Sequence, residues 1–417
     1  MRKIGLLLLG SLLFSWNLMA LPQLFLTGDI RGEIKPCGCS QEGDMGGIER
    51  SSTYFRQLDQ SATDRLWMDL GNFSAPSTAQ GLLKSAMIAK HFQQKKLSVI
   101  LPGPNEFARG TLNFDEFQLP YVLTNQAQNL PHVEASRLLA GQVRVFGYLS
   151  PSLLNVGTHK TEYLSSLEDF QRKVKQLVNS QDKYRILLFR GSQAELMEVS
   201  KKSLFDLIIP ANPAEVEDNQ TLEYQLRGKS FFTAPLKGQG ITKVDLSQAK
   251  IKHEFIWLTD KYADDVRWKA DFDLYQKEVE QLFFKYLEEQ AALEDKTVYN
   301  GAAYCVACHQ KEGEKWKQSR HANAWKTLEN VKRTNDPECI ICHSVGFEKD
   351  GFLSAELTPH LSSVQCENCH GVTPPHIPGD DFKASRVKVT QSTCKNCHVG
   401  SHSPSFSFEK YWPRIQH

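Results

Sequence analysis

Residues 305–309 read Cys305-Val306-Ala307-Cys308-His309, and the same spacing returns three times downstream. The later copies are Cys339-Ile340-Ile341-Cys342-His343, Cys366-Glu367-Asn368-Cys369-His370 and Cys394-Lys395-Asn396-Cys397-His398. Two cysteines separated by two residues and followed at once by histidine form the attachment pattern of haem c. The two thiols add to the two vinyl groups of the porphyrin, and the adjacent imidazole reaches the iron as its proximal ligand. Paired C-x-x-C units also serve zinc and iron–sulfur sites, which need no histidine directly after the second cysteine. With histidine at roughly 2–3% of residues, four such coincidences have odds on the order of one in a million. Cys305, Cys308, Cys339, Cys342, Cys366, Cys369, Cys394 and Cys397 are therefore expected to carry four covalent haems c. His309, His343, His370 and His398 are the expected proximal ligands.

The histidine distribution follows the motifs. Of 13 histidines in the chain, nine lie after residue 300. With the proximal four set aside, His321, His360, His376, His402 and His417 are the candidates for the far faces of the irons. His321, His376 and His417 rank first, and each also reads as an ordinary surface imidazole. A segment of about 120 residues has a radius of gyration of roughly 13–14 Å, so four macrocycles within it lie close together. Apart from a helical-looking stretch over Glu312–Val331, the segment is rich in Gly, Pro and Ser turns. Haem is expected to replace much of the side-chain core, and the segment is not expected to fold without it.

Residues 299–417 resemble the tetrahaem cytochrome c-554 family. The runs that carry the likeness are YCVACHQKEGEKWKQSRHANAWKTL, DPECIICHSVGF and VQCENCHGVTPPH. The resemblance implies that a histidine twelve residues after the first proximal one, in a Ser-x-His-Ala setting, binds another haem. Here that residue is His321, of Ser319-Arg320-His321-Ala322. It implies the same for His376, and one haem with an open or weakly ligated iron. His360 and His402 are not at positions where it implies a ligand.

The region upstream is of another kind. Apolar runs at Leu24–Thr27, Leu66–Leu70, Leu97–Leu101, Tyr121–Thr124, Arg185–Phe189, Leu207–Pro210 and Ile251–Leu258 read as strands. Amphipathic stretches at Ile48–Leu58, Ala79–Gln94 and Leu164–Val178 read as helices, and Gln142–Leu149 as part of a hairpin. Strands alternating with helices predict an α/β domain with a largely buried sheet. Several strand ends resemble the 5′-nucleotidase branch of the calcineurin-like metallophosphoesterases, which implies a sandwich of mixed sheets flanked by helices.

The metal-binding motifs of that family are altered. Asp-x-His reads Asp29-Ile30-Arg31, Gly-Asp reads Gly71-Asn72, and Gly-Asn-His-Glu reads Gly103-Pro104-Asn105-Glu106. The later Gly-His reads Ala211-Asn212, after Pro210. Only Asp29 survives plainly, with Asn72 a weak substitute. A dimetal site needs anionic and imidazole donors, and Arg31 brings a fixed positive charge instead. Phosphatase activity is expected to be lost, and no catalytic residue is assigned. Pro36-Cys37-Gly38-Cys39, in the loop after the first strand, reads as a redox disulfide, a soft-metal chelate, a docking element or an ordinary loop.

Lys261–Asp295 places Leu274, Val279, Leu282, Phe283, Tyr286 and Leu287 at helical spacing, and predicts a long helix between the two regions. The expected boundaries are 1–20, 21–258, 259–298 and 299–417. Arg2 and Lys3, the apolar run Ile4–Trp16 and a small residue at Ala20 form the pattern of a secretory signal peptide. The expected location is therefore the periplasm or another exported space, with no membrane span once residues 1–20 are removed. A formal net charge of +1 gives no reason to invoke nucleic acid. Three functions are open: electron transfer with redox partner proteins of a periplasmic or membrane chain, chemistry on a small nitrogen or sulfur compound at an open haem, and metal-dependent phosphoester hydrolysis. The first is the leading expectation.

Overall fold

A computed structural model describes residues 23–36, 44–61, 65–154, 160–213, 219, 221–246, 251–291, 297–372, 388–399, 403 and 405–417. The expected signal segment 1–20, Cys37, Cys39, His376, His402 and the end of the predicted long helix at 292–295 lie outside the described residues. Among the described residues no helix is long and apolar enough to cross a membrane.

The strands are β1 (Gln23–Thr27), β2 (Arg65–Asp69), β3 (Val99–Ile100), β4 (Tyr121–Val122), β5 (Val133–Glu134), β6 (Ser136–Leu139), β7 (Val143–Leu149), β8 (Tyr184–Arg190), β9 (Leu207–Pro210), β10 (Glu223–Leu226), β11 (Lys229–Phe232), β12 (Gly240–Asp245) and β13 (Lys252–Trp257). They form a seven-stranded sheet in the order β13-β12-β1-β2-β3-β4-β5 and a four-stranded sheet in the order β6-β7-β8-β9. Both sheets are mixed: β1 runs parallel to β2 but antiparallel to β12, and β7 parallel to β8 but antiparallel to β6. Successive residues Leu24, Phe25 and Leu26 are all fully buried. A strand covered on both faces has no polar side to alternate with, so it reads as a continuous apolar run. The predicted α/β architecture of mixed sheets with flanking helices is the observed one.

Local chemistry sets the helix limits. Thr78 caps the helix Ala79–Gln94 by accepting from the Gly81 amide at 3.0 Å. The helix expected over Leu164–Val178 begins only at Leu167, since Leu164 bridges to Gln126 and Ser166 serves as the cap. The strand β12 and the hairpin β10–β11 were not predicted. None of them is a continuous apolar run, and β12 gains its place from tertiary pairing with β1 and β13.

The predicted long helix spans Lys269–Ala291 after a 3₁₀ turn at Val266–Trp268. Its buried stripe serves two cores. Trp268, Phe272, Tyr275 and Val279 belong to the core of the α/β region, and Phe283 belongs to the core of the C-terminal region, with Tyr286 and Leu287 against it. Beyond it the chain is mostly short helices and turns. The single helix expected over Glu312–Val331 is in fact broken into Gln310–Lys317, a 3₁₀ turn at His321–Asn323, and Ala324–Val331. At the break the Ser319 hydroxyl donates to the Trp316 carbonyl at 2.6 Å, and the His321 carbonyl accepts from the Val364 amide at 3.2 Å.

Candidate functional site

Each cysteine–histidine motif sits on or beside a short helix: Ala302–Val306, Pro337–His343, Cys366–His370 and Gln391–Lys395. The motifs adjoin through their sulfurs. Contact with the Cys366 sulfur holds the Cys305 thiol well above its ordinary pKa, and contact with Cys342 does the same for Cys397. First and third motifs are thus neighbours, as are second and fourth. Burial pushes the Cys369 thiol up to about 11. Among the described residues, no three or more His, Cys, Asp or Glu side chains converge as a metal-ion cluster.

Glu367, one of the two spacer residues of the third motif, is a functional side chain that spacing alone did not single out. Its carboxylate accepts from the Asn300 and Gly301 amides at 3.0 and 2.9 Å, tying the third motif to the approach to the first. Gly301 has φ +77°, and a Cβ there would stand 2.8 Å from the His360 carbonyl oxygen. No signal in the sequence separates this Glu from a solvent-facing spacer.

Two pairs of imidazoles lie close together, with their ring planes tilted by 52° and 53°. The rings of His321 and His398 have centroids 6.1 Å apart, and those of His370 and His417 are 5.8 Å apart. Metal–imidazole bonds are about 2 Å long, so an ion held between two facing rings separates their centres by about 6 to 6.5 Å. The His321–His398 separation falls within that range, and the His370–His417 separation lies just below it. Burial lowers the pKa of His321, His370 and His398, which keeps a lone pair free. His343 contacts the Ala324 carbonyl through Nδ1 at 2.7 Å, and His417 contacts the Ile415 carbonyl through Nδ1 at 3.0 Å. A carbonyl can only accept, so Nδ1 carries the proton in each and Nε2 is the free donor of electrons. His398 Nδ1 lies 3.1 Å from the Ser403 hydroxyl, and its ring stacks on Phe406 at 4.6 Å. His360 lies exposed on the 3₁₀ turn Pro359–Leu361, where its carbonyl accepts from Gln365. The paired thiols and the close imidazole pairs fit covalent haem.

The carboxyl ends of the α/β strands hold a second cluster, and it does not fit two metal ions. Asp29 is fully buried, and Arg190, at the end of β8, grips its two carboxylate oxygens at 3.1 and 2.9 Å. The same guanidinium donates to the Leu70 carbonyl at 2.8 Å. Asn72 donates to Asp29 at 3.2 Å, and Arg31 stands 3.4 Å from it. Asn72 accepts from the Asn105 amide instead of facing a cation, while Asn212 donates to the Ala234 carbonyl. Glu106 is buried and accepts from the amides of Asn72, Ser74 and Gly103. The loops that present these groups are strained: Asp29, Arg31 and Asn72 have φ of 48°, 54° and 55°. Arg190 is the residue that the motif reading missed. An arginine directly after the apolar run Ile186–Phe189 was its only trace.

Residues 304–371 match the family described as "Cytochrome c554 and c-prime". Cytochrome c-554 of Nitrosomonas europaea is 32% identical over 110 residues, which cover 22% of this chain and 44% of that protein. The α/β region has the fold of a 5′-nucleotidase precursor from Thermus thermophilus, with a TM-score of 0.50 and 17% identity, over 62% of this chain and 59% of the other. It also matches the sulfate thiohydrolase SoxB of Thermus thermophilus at a TM-score of 0.50 and 12% identity, over 62% and 60% of the two chains. This chain thus spans under half of the cytochrome's length and about three fifths of the length of each solved structure. Residues 304–371 are thus similar to cytochromes of the c554 type, and the α/β region shares its fold with the two Thermus thermophilus structures.

Proposed function

We propose that this chain is an exported tetrahaem c-type cytochrome that relays electrons between redox partner proteins. In this reading the eight motif cysteines hold four haems, with His309, His343, His370 and His398 proximal. His321 and His398 would together hold one iron, and His370 and His417 another. His376 remains a candidate for another iron. The observation that carries the reading is the closeness of these two imidazole pairs, at 6.1 and 5.8 Å. Bound haem c supplies a one-electron ferric–ferrous couple.

The chain's own residues do the rest. The sulfur contacts of Cys305 with Cys366 and of Cys342 with Cys397 bring the attachment edges of neighbouring motifs together. Two imidazoles on one iron leave no position for a substrate, which favours relay over chemistry. The α/β region acts as a docking or positioning module, since Arg190 fills the place where that fold binds metal. Residues 1–20 direct the chain out of the cytoplasm.

Electron paramagnetic resonance of the haem-loaded chain tests this. Low-spin ferric signals are expected, and His321→Ala and His417→Ala should each convert one haem to a high-spin species. Unchanged spectra in both variants would refute the ligand assignment. A strong high-spin signal in the parent chain would favour a haem-dependent oxidoreductase instead.

A further inference from the structure

We infer that Gln80 and Lys84 of the α/β region are positioning residues for the second haem motif; the idea rests on the tetrahaem reading above. Both lie on the helix Ala79–Gln94, one turn apart, and therefore share a face. Gln80 donates through Nε2 to Asp336 at 2.8 Å and to the Tyr275 hydroxyl at 3.1 Å. Lys84 pairs with Glu338. Gln80 and Asp336 are 7% and 6% exposed, so water does not compete for their contact.

Asp336 is the cap of the helix Pro337–His343, which carries Cys339, Cys342 and His343. Its carboxylate accepts from the Glu338 amide at 3.2 Å, and its carbonyl from the Cys339 and Ile340 amides at 3.0 and 2.9 Å. Arg333 holds the other carboxylate oxygen at 3.0 Å. At the far end of the same helix the Ala324 carbonyl fixes the His343 ring, and Ile340 between them is fully buried. The second motif is therefore clamped at one end by the α/β region and at the other by its own. The hydrogen bonds described around the other three motifs run within the C-terminal region.

The consequence is a division of labour. A helix that flanks the large sheet also sets where one haem attachment helix stands relative to its three neighbours. Two rungs, Gln80 with Asp336 and Lys84 with Glu338, carry that registration, with Tyr275 of the connecting helix beneath them.

The test uses the haem-loaded full chain and the variants Gln80→Leu and Lys84→Glu. Hydrogen exchange of the Cys339–His343 amides should quicken about tenfold in Gln80→Leu, the scale of one buried hydrogen bond. The midpoint potential of one haem should shift while the others stay in place. Combining Lys84→Glu with Glu338→Lys should restore both readouts. Unchanged exchange and potentials in both variants would overturn the proposal, as would equal shifts at every motif. A haem count on the same samples separates this from the tetrahaem reading, because fewer than four haems in the parent chain would refute that reading while leaving the exchange result interpretable.

Discussion

The connecting helix Lys269–Ala291 begins on one kind of core and ends on another. On the α/β side, fully buried side chains from two sheets and a flanking helix fill the interior, among them Trp67, Phe25, Phe146 and the helical Phe55. On the C-terminal side the apolar cluster among the described residues is eight buried side chains, including Trp325, Ile340, Phe347 and Phe352. Ile341, Val372 and Val399, in or beside three haem motifs, remain exposed. The first region is stabilised by its own side chains, whereas the second leaves apolar surface that a bound macrocycle would cover. The difference teaches that the α/β region fills its interior with its own side chains, whereas the C-terminal region has a smaller apolar cluster and leaves apolar side chains beside its cysteine–histidine motifs exposed.

Withholding haem is the most severe way to sharpen that contrast. In full-length chain made without haem attachment, amides across 302–372 should exchange at nearly unstructured rates. Amides of β1, β2, β7 and β8 should stay protected. Loss of protection in both regions together would show that the two cores are not separable in this way.

The next effect belongs to the altered strand-end cluster. Arg190→Met leaves Asp29 buried without its main partner, a change that costs about 3–5 kcal/mol. Urea unfolding of the α/β region should report that loss. Adding Asp29→Asn should recover most of it, because the uncompensated charge is removed. An undisturbed midpoint in Arg190→Met would mean that the ion pair is not what holds these loops.

A gentler probe is pH. Burial, chiefly, pushes the His91 imidazole down to about 3, between Trp67 and Trp268 and bonded to Ser51 at 3.0 Å. The unfolded chain takes up this proton near 6.5 and the folded chain resists it, so stability present above pH 6.5 is lost as pH falls towards 3. The slope is at most about 1.4 kcal/mol per pH unit. Asp69 works in the opposite direction: burial pushes it up to about 7, so its contribution fades as pH rises. Comparing the parent with His91→Gln at pH 7 and pH 5 isolates the imidazole. The variant should lose less stability on acidification, and equal losses would refute the assignment.

Much of this was legible in the residues, and the exceptions have physical causes. The spacing of the haem motifs is local, because two thiols must span a porphyrin edge within one helical turn. The α/β strands betrayed themselves as continuous apolar runs, since a sheet covered on both faces tolerates nothing else. The strand β12 was missed because a segment without a continuous apolar run, such as Ile241–Val244, becomes a strand only through its neighbours. The helix expected over Glu312–Val331 was too long because the break at Ser319–Asn323 is held by Val364, which lies far along the chain.

By itself, the sequence determined the four Cys-x-x-Cys-His motifs, the crowding of histidines after residue 300, and the apolar runs that become the α/β strands. Tertiary structure alone decided which histidines lie together, that Arg190 grips Asp29, and that Gln80 and Lys84 reach the second motif. Covalent attachment is written in residues a few positions apart. Pairings between residues tens to hundreds of positions apart depend on how helices and sheets pack, and no local pattern encodes that.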